Sequence, residues 1–99
     1  MEEIRHQDTN AHFVTLTFSN ESITELSKNI ELNGYNRDNE IARIAVRRFL
    51  ERWRKKYKKS VKHWLVTELG GNGTENIHLH GIIWTDSPQE IEKLWKMVS

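Results

Sequence analysis

The stretch Trp64-Leu-Val-Thr-Glu-Leu-Gly-Gly-Asn-Gly-Thr-Glu-Asn-Ile-His-Leu-His-Gly-Ile-Ile-Trp84 decides how the chain is read. Two runs rich in β-branched and aromatic residues, 61–68 and 77–84, flank a glycine-rich connection in which Asn72-Gly73 is a strong turn signal. That pattern predicts an antiparallel hairpin. Side chains alternate along a strand, so His78 and His80 share a face. If the hairpin is centred on Gly73, Glu68 lies directly opposite His78, with Cβ atoms roughly 4.5–5.5 Å apart. His80 is then its diagonal neighbour. A slip of one residue would turn Glu68 to the other face. Two neutral imidazoles and one carboxylate leave positions open for water and phosphate oxygens. Such a set suits Mn²⁺ or Mg²⁺, with Zn²⁺ or Ni²⁺ as adventitious occupants. The same histidines also fit a plainer role as half-buried strand residues. His12 and His63 lack comparable neighbours and are expected to bond locally or face solvent.

Outward from the hairpin, residues 12–18 (His-Phe-Val-Thr-Leu-Thr-Phe) predict a first strand. Val14, Leu16 and Phe18 form its core face; Phe13, Thr15 and Thr17 are free to meet a ligand. Ser22 and Glu25 read as a capping box opening a short helix over 23–32. Gly34–Asn39 reads as a loop. A long helix over 39–57 follows, with Ile41, Ala45, Phe49 and Trp53 at steps of four. Ser87-Pro-Gln-Glu90 predicts the start of a last helix, 88–97, with Ile91, Leu94 and Trp95 on its inner side. The order is β-α-α-β-β-α: an α+β fold, an antiparallel sheet with helices on one face, related to ferredoxin-like layouts. Residues 1–99 read as one domain with a flexible stretch at 1–11. Three strands are few, so a further strand beyond Ser99 or a partner is expected.

The net charge of +1 conceals an asymmetry. Between Arg43 and Lys62 stand ten Lys/Arg and one acid, Glu51. A cationic block this dense suits a polyanion, nucleic acid first. Arg52, Arg54, Lys55, Lys58, Lys59 and Lys62 are the candidate phosphate contacts, and Thr15 and Thr17 on the first strand join them. Of the four tryptophans, Trp84 shares parity with the histidines and is the candidate base-stacking ring; Trp53 and Trp95 are expected in the core. There is no cysteine, no apolar run near the roughly 20 residues of a membrane span, and no signal-peptide pattern at the N-terminus. These features are consistent with a cytoplasmic protein and give no membrane partner.

Taken in order, residues 13–18, the basic helix Ala45-Val-Arg-Arg-Phe-Leu-Glu-Arg-Trp-Arg54, the run Trp64-Leu-Val-Thr-Glu-Leu-Gly70 and His78-Leu-His-Gly-Ile82 resemble rolling-circle replication initiators of the HUH endonuclease superfamily. The resemblance is to the initiators of small single-stranded DNA phages, the microviruses, and covers about residues 13–95. It implies that 13–18 is the strand beside the active site, that His78 and His80 bind the metal, and that Glu68 is the third ligand. It implies an origin of single-stranded DNA as substrate, a metal that polarises the scissile phosphate, and a tyrosine that attacks it to leave a 5′-phosphotyrosine. In that family the tyrosine lies downstream of the histidines. This sequence has only Tyr35 and Tyr57, both upstream. The expectation is therefore an N-terminal fragment carrying the metal- and DNA-binding half, with no catalytic residue of its own; Tyr57, among lysines that could depress a phenol pKa, is the residual candidate. The alternatives are a non-catalytic nucleic-acid-binding module with structural histidines, and a small hydrolase that uses metal-bound water.

Overall fold

Along β3 (Ile77–Trp84) every odd residue is buried and every even one half-buried. This is the alternation of a strand with one covered and one open face. The computed structural model describes residues 10–31, 34–69 and 77–99. The other described elements are β1 (Ala11–Thr17), α1 (Asn20–Ser27), α2 (Gly34–Tyr57), β2 (Lys62–Leu69) and α3 (Gln89–Lys96). β3 is the middle strand of an antiparallel sheet ordered β1-β3-β2. Leu16, Leu79 and Ile83 on the covered face join Ile41, Ala45, Phe49 and Trp53 of α2, and Ile91, Leu94 and Trp95 of α3, in one core cluster. Phe49 is fully buried, with its ring 6.0 Å from Trp53 and 5.9 Å from Trp95. The α+β class, the helices on one face and the buried Trp53 and Trp95 are as the sequence predicts.

The differences lie at helix ends. The first helix starts a turn before the predicted Ser22 cap. Ser19, just past β1, accepts the Ser22 amide on its hydroxyl at 3.1 Å and caps Asn20–Ser27. Ile23 and Leu26 still point into the core. The predicted loop at 34–39 is instead the first part of α2. Its polar residues read as loop, yet Asp38 is buried with Arg37 Nε at 3.4 Å from its carboxylate, so the helix continues through it. Nor does Ser87 cap α3 with its side chain. Its amide donates to Thr85 Oγ1 at 3.0 Å, and Glu90 pairs with Lys56 of α2 rather than reaching back. An interhelix ion pair has displaced a local cap.

At the other end of α2, Lys58 adopts φ 63° and its amide closes on Arg54 O at 2.8 Å. A left-handed residue stops the helix and turns the chain toward β2. Ala11, expected within a frayed terminus, is paired with Trp84, and Asn10 O accepts from Thr85 N at 2.9 Å; residues 1–9 and the Asn72-Gly73 turn lie outside the described residues. Among the described residues no helix is long and apolar enough to cross a membrane.

Candidate metal centre and nucleic-acid face

The register of the sheet arranges its open face as rows that run across three strands. Thr17, His78 and Glu68 form one row; Thr15, His80 and Val66 the next. Phe13, Ile82 and Trp64 form a third, and Ala11, Trp84 and Lys62 the last. The helices occupy the other side of the sheet, so this face is free of them. Among the described residues of these rows, Glu68 is the only carboxylate.

Glu68 is the register partner of His78, as the turn-centred hairpin predicts. Its Oε2 lies 3.6 Å from His80 Nε2. The other nitrogen of that ring, Nδ1, lies 3.3 Å from the Thr15 hydroxyl. His80 is therefore held at one nitrogen and presents the other beside a carboxylate. This is the arrangement in which a neutral imidazole donates from Nδ1 and keeps a lone pair on Nε2. The His78 and His80 rings lie parallel, with centroids 6.1 Å apart.

Ligands bound at about 2.1 Å to a common ion sit roughly 3 Å from one another. The Glu68–His80 separation needs a small adjustment to meet that, and the His78 ring needs a swing about its side-chain torsions. As placed, no group of three His, Asp or Glu side chains among the described residues is drawn together tightly enough for an ion. The side chains of Glu68 and His80 are 70% and 45% exposed, so the adjustment meets little packing resistance. The donor set, two imidazoles and one carboxylate, fits a divalent cation.

The nucleic-acid candidates separate into two groups. Lys62 lies on the open face, its ammonium 4.8 Å above the Trp84 ring. Lys58 and Lys59 sit where the chain passes from α2 to β2, at that same end of the sheet. Arg52, Arg54 and Lys55, by contrast, are exposed on α2, in the helical layer behind the sheet. Arg52 reaches toward Met97, with Nη1 3.9 Å from its sulfur. A strand of nucleic acid on the histidine face meets Lys62 directly and would have to pass around the sheet to meet Arg52. Helical periodicity showed that these cations share an exposed surface; it could not show which side of the sheet that surface faces. Trp84 is only half-buried, as an open-face ring should be. The sequence did not single out Phe13 and Trp64 as site residues, yet they are 87% and 59% exposed on the row beside His80. Their parity with Thr15 and Glu68 was the available signal. His12 and His63 bond locally, to Thr85 O and Val61 O, each at 3.0 Å.

Tyr57 belongs to the helical layer. Its ring lies 5.1 Å from that of Trp53, and burial first, then Glu90, pushes its phenol up rather than down. The neighbouring lysines do not reverse this. Lys56 instead pairs with Glu90, which holds that carboxylate below its ordinary range and raises the ammonium. The lowered Glu90 stabilises the fold above the ordinary carboxylate range, and this is lost as pH falls through it; the raised Lys56 and Tyr57 stabilise below their ordinary ranges and lose this as pH rises through them. Thermal midpoints should therefore be flat around neutrality and fall at both extremes. In Glu90→Gln the acid limb should be shallower, as circular dichroism melts across pH will show.

Residues 11–98 match a family of replication-associated proteins, the ORF2 group. Comparisons with curated proteins and with solved structures gave no match. The family match runs from the first residue of β1 to just past α3 and so takes in every described strand and helix that builds the open face. The chain belongs to this ORF2 family of replication-associated proteins.

Proposed function

We propose that the chain is the metal- and DNA-binding part of a rolling-circle replication initiator of the HUH type, acting on single-stranded DNA in the cytoplasm of the cell where replication occurs. The observation that carries the reading is the meeting of Glu68 and His80 at 3.6 Å on an open sheet face, with His78 directly across from Glu68. Glu68, His78 and His80 would hold Mn²⁺ or Mg²⁺, which when bound supplies Lewis acidity toward a phosphate oxygen. Thr15 fixes the His80 ring so that Nε2 faces the ion. Glu68 brings the negative charge that two neutral imidazoles lack. Lys62, at the far end of the face, draws the phosphate backbone along β3.

The attacking hydroxyl is not assigned to Tyr57. That side chain is held in the helical layer, and a raised phenol pKa leaves less phenolate. The chain by itself is then a binding platform that positions and polarises a phosphate. The test is titration of the protein with Mn²⁺ by calorimetry, followed by incubation with single-stranded oligonucleotides. The expected result is one chelator-reversible ion per chain and no covalent protein–DNA adduct. Absence of metal binding would remove the centre, and an adduct mapped to Tyr57 would overturn its exclusion.

A further inference from the structure

The metal reading uses two rows of the open face and leaves two unexplained. Phe13 and Trp64 stand on either side of Ile82, all three aligned by the register. Phe13 is 87% exposed and Trp64 59%. Large rings this exposed on a sheet otherwise well covered by its helices are costly to leave in water unless something covers them. The next row out holds Trp84 with the Lys62 ammonium over its ring. The row on the inner side holds His80. Alternate residues of a strand lie about 7 Å apart, so the rings begin one row from the metal ligands and continue for two rows.

The charge on this face is graded in the same direction. Lys62 lies on the last row, with Lys58 and Lys59 behind it in the chain. The carboxylate of Glu68 lies at the opposite end, where the cation would sit. Between them the face is apolar or hydroxylic. A polyanion laid along β3 meets cations at one end, a carboxylate-bound ion at the other, and flat rings between. An apolar protein partner would use the rings and ignore the gradient. A duplex would use the charges, but its base faces are already stacked.

We infer that Phe13 and Trp64 form a base-stacking platform for unpaired nucleotides immediately to one side of the phosphate bound at Glu68, His78 and His80, with Trp84 and Lys62 receiving the next nucleotide. This rests on the nucleic-acid reading above and adds the residues that position the strand. Stacking on aromatic side chains is tolerant of base identity, so the platform sets the path of the strand rather than its sequence. Phe13 and Trp64 are positioning residues; they do not touch the reacting phosphate.

The experiment measures binding of an oligothymidylate of about 12 nucleotides, within the usual footprint of such grooves, to the full chain in the presence of chelator. Trp53 and Trp95 are buried, so oligonucleotide-induced quenching should come chiefly from Trp64 and Trp84. Trp64→Ala and Phe13→Ala should each weaken binding about tenfold. Trp64→Phe should retain most of the affinity and lose much of the quenching. Mn²⁺ affinity, titrated without DNA, should be unchanged in all three, and their exposure should leave the melting midpoint near wild type. Wild-type affinity in both alanine variants overturns the platform while leaving the metal centre standing. Equal affinity for duplex and single strand also overturns it. Loss of Mn²⁺ binding in Glu68→Ala, with chelator-resistant oligonucleotide binding intact, supports two separable parts on one face.

Discussion

Gly81→Ala is expected to lower the thermal midpoint by at least about 10 °C. A Cβ placed on Gly81 would stand 1.8 Å from the backbone oxygen of Trp64 and 2.9 Å from Cα of Leu65. These are main-chain atoms of β2, and they cannot turn aside as a flexible side chain would. The only relief is for β2 and β3 to separate where Gly81 is paired with Leu65. The glycine is thus a point of close backbone approach in the middle of the central strand. Forced overpacking commonly costs about 1–3 kcal/mol, and a clash with backbone on this scale belongs at or above the upper end. For a domain of about 100 residues that is a shift of many degrees. The damage should also be functional, because His80 is the adjacent residue and Glu68 is positioned by the same pairing. Circular dichroism melts and Mn²⁺ titration of the variant check both. A midpoint within about 2 °C of wild type would show that the strands can part there without cost.

The importance of Gly81 was not visible in the sequence, where it is one glycine after two histidines. The pairing that makes it tight is non-local, and so is the strand order β1-β3-β2. What was legible was local. Alternation in Ile77–Trp84 separated Leu79 and Ile83 from His78 and His80, and the position of the turn set Glu68 against His78. The step-of-four stripe placed Ile41, Ala45, Phe49 and Trp53 in the core. The first turns of α2 were missed because Asn36, Arg37 and Asp38 carry turn chemistry that burial of Asp38 overrode. The α3 cap was missed for a similar reason: Glu90 had two possible partners, and the tertiary one, Lys56, prevailed. The cationic residues of α2 show the same limit in the site. Their number was plain, but only the packing of Phe49 and Trp53 against the sheet shows that Arg52 and Lys55 lie behind the face that carries the histidines.

Glu68→Ala and His80→Ala should abolish Mn²⁺ binding, and Thr15→Val should weaken it by about 10–100-fold, the usual cost of removing a group that orients a metal-binding histidine. The two classes differ in what they remove. Glu68 is the only charged ligand of the set, so its loss leaves two neutral imidazoles facing a divalent cation. His80→Ala removes the one ring nitrogen that already stands beside that carboxylate, at 3.6 Å. Thr15→Val removes no ligand. Its hydroxyl lies 3.3 Å from His80 Nδ1, and valine keeps the branched shape and strand preference on the open face, so stability should change little. What changes is the tautomer. Without an acceptor at Nδ1, the ring is no longer biased to carry its proton there and can place it on Nε2, where the ion would bind. Thr15→Ser restores the acceptor and should recover much of the affinity. Thr15→Val and Thr15→Ser titrating alike would mean that the hydroxyl does not act on His80. Loss of fold in either variant, read from the far-ultraviolet spectrum, would mean that Thr15 serves the strand rather than the ring.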